Sequence, residues 1–158
     1  MHPVEQTLTQ LTDPRKGALL RYHREHADIM AASRGSSHNH QNWNGGYLDH
    51  IGEVFRIAEY MYKSLSHIRP LPFTLDSALI VLYFHDIEKM WKYTTGLPEG
   101  FHKPTYYTQT LPQEFSIEFS ADELNALEYV HGEVDDYSPT QRKMGRLAAF
   151  CHAADVLS

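Results

Sequence analysis

Seven apolar residues in a row, Ala78 to Phe84, lead directly into His85 and Asp86. A fold that buries this run must also take in the imidazole and carboxylate that follow it. A buried carboxylate is costly unless it is paired or bound to a metal ion. Two more residues favour the metal. His50 and Asp155 each sit in a helical, mostly apolar context. With His85 and Asp86 they make two neutral imidazoles and two carboxylates, a donor set suited to a divalent transition ion.

The pattern around these residues is helical. Asp13-Pro14 reads as an N-cap followed by proline at the first helical position, opening a helix over 14–32 that buries Leu19, Leu20, Tyr22, His26 and Met30. The polar, glycine-bearing stretch 33–46, which contains His38 and His40, reads as loop. Leu48, Ile51, Phe55, Ala58, Met61, Tyr62 and Leu65 recur at three and four residues and predict a helix over 47–67. Thr74 and Asp76 open a third, to about residue 93. Two capping boxes, Ser120 with Glu123 and Ser138 with Gln141, predict helices over 121–133 and 139–158.

The periodicity fails over 94–119, where Pro98, Pro104 and Pro112 fall. A structureless segment this long is uncommon and often functional, for example as a lid. Thr105-Tyr106-Tyr107-Thr108 has strand-favouring residues compatible with a small β-hairpin. The expectation is an all-α, compact bundle of five or more helices with this irregular insertion. It forms a single domain over 1–158, with its core over 39–158 and an N-terminal helical segment over 1–33.

The 158-residue chain carries a formal charge of -6, which argues against broad binding to nucleic acid or an anionic membrane. Its one cysteine, Cys151, rules out an intrachain disulfide and favours a reducing compartment. With no signal-peptide pattern and no apolar run of membrane-spanning length, the expected location is the cytoplasm.

The order His50, His85-Asp86, Asp155 resembles the HD-domain metal-dependent phosphohydrolase superfamily. His40-Gln41-Asn42-Trp43-Asn44-Gly45-Gly46-Tyr47-Leu48-Asp49-His50 is similar to the His-His-x-x-x-Gly-Gly-Leu-Leu-Glu-His lead-in of HD-type 3′-to-5′ exoribonucleases, with Gln41 in place of the second histidine. His85-Asp86-Ile87-Glu88-Lys89 resembles His-Asp-Ile-Gly-Lys, and Ala154-Asp155-Val156-Leu157-Ser158 resembles Ala-Asp-x-Leu-Ser. The resemblance implies metal ligation by His50, His85, Asp86 and Asp155, with Lys89 contacting a substrate phosphate. Relatives with two metals carry extra histidines before the final aspartate. Here His131 matches the second, but Val130 stands at the first. One ion is therefore expected, Mn, Fe, Co, Ni or Zn, with His131 lining the pocket or binding substrate.

The reaction implied is attack of metal-bound hydroxide on a phosphate ester of a nucleotide, as in nucleotidases and deoxynucleoside triphosphate triphosphohydrolases, or of a related small molecule. Asp86, Lys89 and Glu88 are the catalytic candidates, Glu88 as a general acid or base where the family has glycine. His131, Lys89, Arg34 and Trp43 are the substrate-binding candidates, Trp43 by stacking a base. Two alternatives stand beside this: an HD-type 3′-to-5′ exonuclease or phosphodiesterase, and a non-catalytic nucleotide sensor that keeps the fold. The expected partner is a small phosphorylated substrate, with no membrane, no nucleic acid, and self-association left open.

Overall fold

The structure, a computed structural model, describes residues 1–37 and 41–158. Among these the chain is all-helical and has no strand. His38, Asn39 and His40, including the first histidine of the lead-in, lie outside the described residues.

The chain divides into two compact units, Met1–Glu53 with Asp86–Glu118 and Val54–His85 with Phe119–Ser158. In the first, α1 (Pro3–Thr9) packs against α2 (Lys16–Ala32). The helix α2 buries Leu19, Tyr22, His23 and Met30. It begins two residues later than expected because Asp13 folds back onto Arg15, accepting from its backbone N–H and its guanidinium, both at 2.9 Å. The short α5 (Lys89–Lys92) also packs on α2. The Tyr22 and Tyr106 hydroxyls hydrogen-bond at 2.6 Å, and Phe115 meets the Tyr22 ring edge-on.

The small hairpin that 105–108 could have made does not form. After α6 (Lys103–Thr105), residues Tyr106–Thr110 make a π-helical turn that runs into α7 (Leu111–Phe115). Strand propensity is a preference for a half-buried surface, and here helical burial supplies one. Tyr106 packs on Trp91 and Phe101, and Tyr106 and Tyr107 are both buried. A π turn also departs from the 3.6-residue period, which accounts for the missing helical signal.

In the second unit, α4 (Leu75–Phe84) packs against α8 (Ala121–Tyr129) and α9 (Arg146–Leu157), and α8 packs against α9. All seven residues of the apolar run are buried. The Ser120–Glu123 capping box forms, and the buried Glu123 carboxylate also accepts from the Ser77 hydroxyl at 2.6 Å. The Ser138 box does not form, and α9 starts only at Arg146. Side chains take the backbone donors that a helix over 139–145 would need. Glu133 accepts from the N–H groups of Lys143 and Met144, and Asn125 accepts from Gly145 at 2.7 Å.

The expected helix over 74–93 is also interrupted. It stops at Phe84, residues 85–88 form a turn, and α5 follows. The turn is tightened by three-residue hydrogen bonds from Lys89 N–H to Asp86 and from Trp91 N–H to Glu88, at 3.0 and 3.1 Å.

Candidate metal centre

His50 lies in the first turns of α3 (Gly46–Ser66), and its position depends on the two glycines before it. Gly45 takes φ +85°, a left-handed value that favours glycine. A Cβ on Gly46 would sit 2.1 Å from the Gln41 carbonyl oxygen, so no larger residue fits. The carbonyl of Ser33 accepts from Gly45 and Tyr47, tying this turn to the end of α2. The Ser33 hydroxyl donates to the Lys89 carbonyl at 2.7 Å, tying the same end to the start of α5.

His50 Nε2 lies 3.6 Å from Asp86 Oδ2, with both side chains buried. Lys89 Nζ lies 2.9 Å from the same oxygen. Burial pulls the Lys89 ammonium down, but the Asp86 carboxylate beside it outweighs this and holds its pKa above the usual lysine value. Lys89 is therefore charged at neutral pH.

His85 is fully buried, and its Nε2 lies 3.1 Å from Asp155 Oδ1. Its Nδ1 lies 2.5 Å from the Leu82 carbonyl oxygen. A neutral imidazole has one N–H, which at Nδ1 donates to that carbonyl. Nε2 then turns a lone pair toward a carboxylate oxygen, and two acceptors that close require a proton or a cation between them. His131 Nδ1 lies 3.4 Å from the other Asp155 oxygen, on a half-exposed ring.

His50, His85, Asp86 and Asp155 form one group. Each offers one ligand atom, and those atoms all lie within 4.8 Å of one another. Ligands about 2.0–2.2 Å from a shared ion stand about 3–4.4 Å apart, so the group needs little contraction to hold one. The donor chemistry fits as well: a backbone carbonyl orients His85 as it orients many metal-bound histidines. These four residues could bind a metal ion.

The other expected site residues are engaged as follows. Glu88 pairs with Lys103 Nζ at 2.9 Å. The Arg34 guanidinium lies 5.3 Å from the Tyr93 ring centre and donates to Asn42 at 3.2 Å. Trp43 is 48% exposed, and its indole N–H donates to Asp49 at 2.8 Å. Two histidines outside that set are also engaged: His102 meets the Thr105 hydroxyl at 2.7 Å, and His152 Nδ1 meets the Val130 carbonyl at 2.6 Å, supporting the segment that carries His131.

Sequence reasoning missed two features. Tyr107 is buried, and burial together with the Glu88 and Asp86 carboxylates pushes its phenol far above the usual range, so it stays neutral. The Glu88–Lys103 pair links the turn after His85-Asp86 to the 94–119 segment. No spacing signal could have revealed either, because both depend on the irregular insertion. No protein-family model matches the chain, and searches of curated proteins and of solved structures find no match.

Proposed function

We propose that this chain is a metal-dependent phosphohydrolase of the HD-domain type, acting on a nucleotide or a related small phosphate ester. The observation that supports it is the group His50, His85, Asp86 and Asp155, with four ligand atoms within 4.8 Å of one another. These residues would hold one divalent ion. When bound, such an ion acts as a Lewis acid on a phosphoryl oxygen and lowers the pKa of water.

The chain's own groups supply the rest. Lys89, kept charged beside Asp86, offers a fixed ammonium to a phosphoryl oxygen as negative charge builds. The half-exposed His131, its Nδ1 3.4 Å from Asp155, is the candidate for proton transfer with the leaving group. Glu88 holds Lys103 and with it the insertion, a positioning task. The neutral Tyr107 adds no charge that would repel an anionic substrate.

A non-catalytic nucleotide-binding reading is favoured by one observation, that Lys89 already compensates Asp86. One experiment separates the two readings. The protein is loaded in turn with Mn, Fe, Co, Ni and Zn and its metal content measured. Each form is then incubated with ribonucleoside and deoxynucleoside mono- and triphosphates, and product release is followed. Turnover with one metal and nucleotide pair, lost together with bound metal in Asp86→Ala, is the expected result. Nucleotide binding without turnover points to the sensor. A chain that retains no metal, or activity that persists in Asp86→Ala, sinks the proposal.

A further inference from the structure

The second unit carries an open groove of about 430 Å³. Met61, Leu65, Phe73 and Ala153 are among the apolar residues that line it, and Ile68, next to Arg69 in the chain, is 78% exposed. Arg69, Arg142 and Arg146 line it as well. None of the three guanidinium groups has an acidic partner among the described residues. An apolar lining with three unpaired cations is a surface built for something apolar and acidic.

The same unit carries a projection of that chemistry. The 3₁₀ turn Val134–Asp136 leaves Val134 72% exposed, and Tyr137 directly after it is 67% exposed. Glu133, Asp135 and Asp136 surround them. Glu133 and Asp136 are used within the fold, Glu133 on backbone N–H groups and Asp136 on the Tyr129 hydroxyl at 2.8 Å. Asp135 has no partner among the described residues. Val134 also sits at φ +47°, a region that β-branched residues avoid.

We propose that two copies of this chain associate reciprocally, Val134 and Tyr137 of each entering the groove of the other while Asp135 meets the arginines. Groove against groove would set three arginines against three, so the symmetric contact uses the projection. The concave surface and the net charge of -6 disfavour a membrane as the occupant.

Sedimentation of the full chain over a range of concentrations tests this. The expected result is a monomer–dimer equilibrium that weakens with salt. Arg146→Glu and Asp135→Arg each weaken association at least about tenfold with unchanged circular dichroism. An equimolar mixture of the two variants restores it, since every junction then pairs opposite charges, and so does the double variant. A monomer at every concentration overturns the proposal, as does a dimer indifferent to both reversals or a mixture that fails to recover. Arg146-dependent binding to anionic vesicles by a monomeric chain also overturns it and gives the groove to a membrane.

Discussion

The two carboxylates of the candidate metal centre are compensated in different ways. Asp86 has an ammonium 2.9 Å away and an imidazole 3.6 Å away. Asp155 is flanked by imidazoles, His85 at 3.1 Å and His131 at 3.4 Å. The first carboxylate therefore carries its own counter-charge. The second has imidazoles and no ammonium among these neighbours. On the proposed reading Asp86 serves structure and ligation together, whereas Asp155 serves chiefly ligation.

The sharpest way to break this comparison is to remove each carboxylate in turn. Asp86→Ala and Asp155→Ala are both expected to abolish retained metal, measured by metal analysis after dialysis. In urea denaturation of metal-free protein the two should separate. Asp86→Ala strands a largely buried ammonium and costs about 3 kcal/mol, and Asp155→Ala costs less than about 1 kcal/mol. Equal costs would remove the distinction.

Next in size, Lys89→Met removes the competitor for Asp86. Turnover should fall about a hundredfold, while metal affinity, read by competition with a chelator, rises a few-fold. A drop in affinity would mean that Lys89 supports the ligand rather than competing with it. His131→Ala should leave metal affinity within about threefold and lower kcat/KM about tenfold. A loss of metal comparable to Asp155→Ala would make His131 a ligand.

The smallest effect lies away from both carboxylates, at Tyr106. Burial raises its phenol to about 12, against the opposing hydrogen bond with Tyr22. Its folded pKa exceeds the ordinary value of 10.0, so the stability it adds is full below that pH and is lost as pH climbs through about 12. Tyr106→Phe should cost about 1 kcal/mol at neutral pH and flatten the alkaline fall, followed by denaturation at a series of pH values.

Much of the helical framework was legible in local pattern. Apolar residues at three- and four-residue spacing marked α3 to within about a residue at each end, and the Ser120 capping box opened α8 where expected. The errors came where side chains from elsewhere claim backbone donors or rings. Glu133 and Asn125 hold the backbone of 143–145 out of a helix, and Tyr22 with Trp91 draws Tyr106 into a π turn instead of a strand. Such competition depends on neighbours distant in the chain, which periodicity cannot register.

Local pattern was enough to give the class of helical fold and to single out the four residues that could hold a metal ion. An apolar run ending in His85-Asp86 leaves a carboxylate that burial makes costly, and His50 and Asp155 are of the chemical type that answers it. How each of those side chains is held emerged only when the chain folded. Folding put Lys89 on Asp86, turned His85 Nδ1 to the Leu82 carbonyl, tied Glu88 to Lys103, and left three arginines around an apolar groove. The physical reason is range. Propensity and spacing act within a few residues, whereas charge compensation and orientation arise only when distant segments meet.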